Sequence, residues 1–272
     1  MKSNYDKTPS VLVSKNDQDC LTGWETILHD LNDRIKQNAS YKIAIETYQG
    51  VDDKEVRTAL KENLPSHQIY DTLEAFKNVK DIENMVYPDV TDDRVFGSMT
   101  KLDITDFLDK SKTESLSKQI SQESDALKII YGPGATLISN ADLVIYIDMA
   151  RWEIQQRMRH KEVNNLGVKN KDLEAALLYK QSYFVDWRVL DKHKLSIFDK
   201  VDYFIDGNQK GNPKMITGES LRMGLKDVNK QPFRVVPFFD PGVWGGQWLK
   251  EVVDLDRSAI NYAWGFDCVP EE

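Results

Sequence analysis

Three arginines, Arg151, Arg157 and Arg159, follow a short apolar run that ends on Asp148. A guanidinium presents a planar fork of donors that matches phosphate oxygens, so these three are candidates for holding a sugar phosphate or a nucleotide. The same charges also fit a solvated helix face. Lys54 is a further candidate, because it sits where a strand-like run passes through a Gly-containing turn into a helix-like run. Such a junction gathers backbone N–H groups around an anion. Asp148 and Asp206 each close a strand-like run and either face one crevice or serve as helix caps.

The elements that must position these residues are legible from apolar spacing. Tyr41–Tyr48, Lys128–Tyr131, Leu143–Ile147 and Val201–Ile205 are short, β-branched or aromatic runs, as expected of strands covered on both faces. Gln68–Phe76 reads as a strand or as a strand-to-helix junction. Helical spacing marks a segment after Thr22 (Trp24, Ile27, Leu28, Leu31, Ile35), Asp53–Asn63, Ile104–Leu108 and Leu116–Ile120. It returns around Trp152, Ile154 and Met158, and from Leu173 to Leu190, whose aromatics are expected in the core. Strands alternating with helices predict a doubly wound, mostly parallel α/β sheet, with ligands bound outside the carboxyl ends of the strands.

The phosphate-binding pattern is absent from the first such junction. GxxxxGK[ST] needs two glycines and a Lys-Ser/Thr pair, whereas Glu46–Glu55 offers Gly50 alone, and Lys54 precedes Glu55. Glu46, Asp52, Asp53 and Glu55 would repel a triphosphate, and Asp52 and Asp53 suit the start of a helix instead. ATP-Mg²⁺ is therefore not expected to bind in the usual way. Asp89–Arg94 reads as a solvated turn or a loop for a divalent cation, without EF-hand spacing. His29 and His67 read as surface or structural residues. Val11–Val13 and Val95–Met99 read as short edge segments.

With 36 basic and 44 acidic residues the formal charge is −8, which argues against a nucleic-acid or anionic-lipid partner. Cys20 and Cys268 lie near opposite ends and suggest free thiols, and no apolar run has the length of a signal peptide core or a membrane span. A cytoplasmic protein is expected.

With those residues placed, IIYGPG, DLVIYID and ARWEIQQRMR resemble the uridine-kinase-like branch of the P-loop phosphotransferases over residues 40–208. The resemblance implies a P-loop kinase-type fold with a degenerate phosphate loop. It places Arg157 and Arg159 at lid-arginine positions and Asp71 near the family's acidic base. Gly132-Pro133 stands where that family has an acidic residue, so the resemblance implies the fold without kinase chemistry.

Further on, FFDPGVWGGQW (Phe238–Trp248) resembles the opening of class I mannose-6-phosphate isomerases, where a Trp-Gly-Gly element precedes a cupin barrel. Together the two resemblances suggest a bacterial fusion of a kinase-like domain with an isomerase-like region. They imply residues 1–39 as an extension and helix, 40–208 as the kinase-like domain, 209–237 as a linker and 238–272 as the start of the cupin region. They imply a parent that interconverts mannose 6-phosphate and fructose 6-phosphate. Zinc is expected in the downstream isomerase region and no metal or other cofactor in this segment. The aromatic load of Trp244, Trp248, Tyr262, Trp264 and Phe266 is expected either to need that downstream cupin domain or to fold back as a flap. The competing expectations are a phosphotransferase acting on a nucleoside or sugar, and a phospho-ligand-binding or scaffolding domain.

Overall fold

The computed structural model describes residues 12–13, 20–35, 40–122, 127–230, 233–242, 247–258 and 261–270. Residues 16–221 make up one compact unit, and the segments 1–15 and 222–272 a second.

The larger unit is α/β. Its elements run β1 (Cys20–Thr22), α1 (Trp24–Ile35), β2 (Tyr41–Thr47), α2 (Asp53–Asn63), β3 (His67–Asp71), α3 (Val79–Val90), α4 (Ile104–Phe107), α5 (Lys110–Gln122) and β4 (Leu127–Tyr131). They continue with α6 (Ala135–Ile138), β5 (Leu143–Asp148), α7 (Arg151–Arg159), α8 (Ala175–Gln181), α9 (Trp187–Ile197), β6 (Tyr203–Asp206) and β7 (Lys214–Thr217). The seven strands form one mixed sheet in the order β1-β7-β6-β5-β2-β4-β3. β3, β4, β2, β5 and β6 are parallel, β7 runs antiparallel to β6, and β1 antiparallel to β7.

Residue parity along the strands decides which helices cover which face. Ile43, Ile45, Ile129, Tyr131, Ile145, Ile147, Tyr203 and Ile205 pack with the buried stripe of α1 and α2. Ala44 and Ile130 pack with α5 and α6, while Tyr146 and Phe204 pack with α3, α7 and the α8–α9 run. The sheet is thus buried on both faces, which explains the uninterrupted apolar composition of its parallel strands.

Several local expectations shift. Lys214–Thr217, within the stretch read as linker, is a strand, because Met215 fills the core beside β6 and β1 pairs along its other edge. Gln68–Phe76 is a junction: β3 ends at Asp71, and Asp71 then caps a single 3₁₀ turn over Thr72–Ala75. Val95–Met99 forms no strand, since Asp93 accepts the amides of Val95 and Phe96 and turns the chain. Trp152 lies exposed, and the inward face of α7 is Ile154, Arg157 and Met158. The helix expected over Leu173–Leu190 starts at Ala175 and contains a π segment, Ser182–Asp186, between α8 and α9.

The second unit contains β8 (Phe233–Gly242), α11 (Gln247–Val252) and β9 (Asn261–Pro270), and α10 (Gly218–Val228) leads into it. β8 and β9 form an antiparallel pair in register from Phe233↔Pro270 to Gly242↔Asn261. Pro237 and Pro241, four residues apart, present their missing N–H toward the same edge, the arrangement a strand paired on one side tolerates. Trp244, Gly245, Gly246 and Val11 lie outside the described residues. Among the described residues no helix is long and apolar enough to cross a membrane.

Candidate functional site

The chain leaves β2 for β3 and β4 on one side and returns to β5 on the other, so the order of strands reverses at β2. In open parallel sheets ligands bind outside the carboxyl end at such a reversal. Here that place is the connection Tyr48–Asp52 and the first turn of α2.

Asp52 caps α2, its side chain accepting from Glu55 N at 3.1 Å. Gly50 holds φ +90°, and a Cβ there would meet Ile154 Cγ1 at 3.0 Å, so the position favours glycine on both counts. The turn is then drawn together by Arg157, which is 3% exposed. Its Nε donates to Glu153 Oε1 at 2.8 Å and its Nη1 to the Gly50 carbonyl at 2.8 Å. Its Nη2 donates to the carbonyls of Gly207 (3.1 Å) and Asn208 (2.9 Å), across on the β6–β7 connection. Lys210 from that connection reaches Asp52 (3.3 Å) and Glu162 (2.8 Å). Burial would raise the Asp52 carboxyl, but the Glu55 amide and Lys210 outweigh it and hold the group below its usual range.

Beside this clamp lies a cavity of about 310 Å³ lined by Lys54, Lys161 and Lys171, with Asp52, Asp53, Glu162, Lys210 and Arg157 also on its wall. Lys161 follows the C-terminus of α7 in left-handed conformation, φ 59°. The bonds from Glu162 N to Arg157 O and from Lys161 N to Met158 O form a Schellman cap, in which glycine is the favoured residue at the position of Lys161. Lys161→Gly is therefore expected to stabilise the domain by about 1 kcal/mol in denaturant unfolding; a loss of stability would mean that the lysine side chain contributes more than its strained backbone costs.

On the opposite face, β2 carries Glu46, 1% exposed, toward α6 and α9. It accepts from Gly134 N (2.8 Å), Thr136 N (2.8 Å) and Thr136 Oγ1 (2.6 Å), and contacts His193 Nε2 at 3.0 Å. The Gly-Pro-Gly turn after β4 is thereby fastened to the central strand. Gly132 in that turn has φ +125°, and a Cβ would come within 2.2 Å of Thr72 Oγ1. Burial disfavours the Glu46 carboxylate, yet its His193 and Thr136 partners lower its pKa below the ordinary value.

A third buried group is Asp186 in the π segment. Its Oδ2 accepts from Asn165 Nδ2 (2.6 Å), Gln49 Nε2 (3.1 Å) and Ser182 Oγ (3.2 Å). Burial nonetheless pushes its pKa up to about 6. Between the ordinary 3.8 and about 6 the folded chain keeps a proton that the unfolded chain releases, so Asp186 lowers stability progressively as pH rises through that window. Asp186→Asn is expected to flatten this slope when urea unfolding is compared at pH 4.5 and pH 7; an unchanged slope would assign the pH dependence to other groups.

Among the expected site residues, Lys54 and Arg157 come together at the cavity. Arg157 does so as an internal strut, with its donors already engaged, and Arg159 is exposed. Arg151 pairs with Asp191, which also accepts from Tyr48 Oη at 2.8 Å, and its guanidinium lies over the Trp187 ring. Asp148 pairs with Lys194 at 3.0 Å and accepts from Met149 N. Asp71 accepts from Arg57 Nη2 (2.6 Å) and Leu73 N (2.9 Å). Glu46, counted with the acids at the phosphate loop, instead points into the opposite core. Among the described residues no cluster of His, Cys, Asp and Glu has the makings of a metal site. Lys161, Lys171, His193 and Asp186 do not stand out as site residues in the sequence, and the only local signal was a lysine two residues past the last residue of α7, where glycine commonly ends a helix.

Residues 23–230 match a family described as a domain of unknown function, DUF8485. The chain belongs to that family. The match spans the seven-stranded sheet almost entirely and includes every residue of the clamp, the lysine cavity and the Glu46 cluster. No curated protein matches the chain.

Proposed function

We propose that this DUF8485 chain is a kinase-like α/β domain without phosphoryl-transfer chemistry, serving as the N-terminal part of a mannose-6-phosphate isomerase-like polypeptide. The observation that carries the non-catalytic reading is the Arg157 clamp. A phosphate loop turns backbone N–H groups toward an anion; here the equivalent turn offers the Gly50 carbonyl to a buried cation of the chain itself. Asp52 occupies the amide at the start of α2 that a phosphate would use. The β2–turn–α2 junction at the centre of the sheet, followed by the Asp148-terminated strand and the arginine-rich α7, supports the kinase-like ancestry. The isomerase attribution rests on the resemblance of Phe238–Trp248, and through it the polypeptide would interconvert mannose 6-phosphate and fructose 6-phosphate with zinc held downstream.

Calorimetric titration with ATP-Mg²⁺ and uridine is expected to give no saturable nucleotide binding. Saturable ATP-Mg²⁺ binding together with phosphate transfer to a nucleoside or sugar would replace this reading with the phosphotransferase one. The isomerase attribution is tested on the natural gene product that carries this segment: mannose 6-phosphate isomerisation is expected, lost on zinc chelation, and its absence from the zinc-loaded protein would sink the attribution.

A further inference from the structure

We propose that the cavity beside α2 is a binding site for a small phosphate monoester, held by the side chains of Lys54, Lys161 and Lys171 rather than by loop amides. This rests on the geometry of the cavity and not on the isomerase attribution. The three lysines come from three places in the chain, the first turn of α2, the cap of α7 and the loop before α8, and line one cavity of about 310 Å³. None of them makes an ion pair or a side-chain hydrogen bond among the described residues, whereas Lys210 on the same wall makes two ion pairs.

The acids on the wall do not cancel this charge. Lys210 bridges Asp52 and Glu162 and offsets one of their two charges, and Asp52 also accepts the Glu55 amide. Asp53 accepts from Tyr131 Oη at 2.7 Å. Four lysines thus stand against three carboxylates on this wall, with Arg157 offset by Glu153, a positive balance in a protein whose formal charge is −8 that favours an anion. The volume sits at the lower end of the range for small-molecule sites, which fits a phosphate with a small organic group. Lys161 supplies a second, independent sign. Its backbone holds φ 59° at a cap that favours glycine, yet the sequence places there a long cation at the cavity wall. The Arg157 clamp holds the turn through its carbonyls, so recognition by lysine side chains can persist where transfer cannot.

The test is calorimetric titration of the whole chain with inorganic phosphate and with mannose 6-phosphate, using mannose as the uncharged control. Saturable binding of both anions, and none of mannose, is expected. Lys161→Gly/Lys171→Ala is expected to weaken binding about 100-fold, roughly 10-fold for each charge-assisted hydrogen bond lost. Lys161→Gly suits the cap, so that variant should keep its fold, which far-ultraviolet circular dichroism verifies. The exposed pair Lys80→Ala/Lys101→Ala removes the same charge elsewhere and is expected to bind as the parent does. No saturable binding of either anion by the parent chain would overturn the site, as would equal affinities in the parent and the cavity double variant. ATP-Mg²⁺ binding that survives the cavity variant would count against the non-catalytic reading and not against this site.

Discussion

Glu46→Ala is expected to destabilise the sheet domain by about 3–5 kcal/mol, the range for removing one partner from a buried charged cluster. The loss has a specific origin. Gly134 N would be left as a buried donor, and Thr136 N and Oγ1 as part-buried donors, without their acceptor, and His193, 6% exposed, would lose its carboxylate. Each unsatisfied donor costs about 1–3 kcal/mol by itself, and partial relaxation of the Gly-Pro-Gly turn keeps the total below their sum. Glu46→Gln keeps one oxygen but turns an amide against a neighbouring donor, so it should recover only part of the loss. The pH dependence has a definite sign. Because the folded-state pKa lies below the ordinary 4.5, the stabilisation is complete above that value and fades as pH falls through the lowered one. Urea unfolding of the parent and the two variants between pH 3 and pH 7 checks this. A cost under about 1 kcal/mol at pH 7 would mean that water or a shifted turn replaces the carboxylate.

Arg157→Ala carries the second large effect, again about 3–5 kcal/mol. The carbonyls of Gly50, Gly207 and Asn208 would lose their shared donor, and Glu153 its partner. The β2–α2 turn and the β6–β7 connection would then be free to part. Arg157→Lys is not a conservative repair, because a single ammonium cannot reproduce a fork that reaches Glu153 on one side and three carbonyls on the other. Hydrogen exchange reads this locally: amides of residues 50–56 and 207–211 should lose protection in both variants while those of β4 keep theirs. Uniform loss across the sheet would show that Arg157 stabilises the whole domain rather than one edge of it. A loop that tightens on phosphate once Arg157 is gone would show that the clamp blocks an intact cradle, and it would weaken the case for a non-catalytic domain.

Stability and binding pull in opposite directions at Lys161. Glycine there is expected to raise stability and to lower affinity for a phosphate monoester, the pattern of a strained residue kept for its side chain. Finding both effects in one variant would tie the cap geometry to the cavity more firmly than either alone.

Composition and spacing alone determined the α/β class, four of the five parallel strands, the run of α2 from Asp53 to Asn63 and the loss of the phosphate-binding motif, and left β3 open between a strand and a junction. These depend on residues close together in sequence: apolar runs of strand length, helical periodicity and an aspartate before a helix. Asp52 acts as the helix cap that its position suggested. Side-chain roles at longer range were not legible. Arg157 read as a ligand-binding cation because an arginine on a helix has no visible partner until carbonyls 50, 51 and 107 positions away are brought to it. Glu46 read as a loop acid because its face of β2 is decided by the strand's register against Tyr146 and by His193, 147 positions on. Lys54 stood out at its junction, whereas Lys161 and Lys171 are inconspicuous in sequence, and only the folded chain brings the three to one cavity. Local patterns set which elements form because they depend on nearest-neighbour sterics and burial; tertiary structure decided which charges are satisfied, since a charge is defined by what folding places within a few ångströms of it.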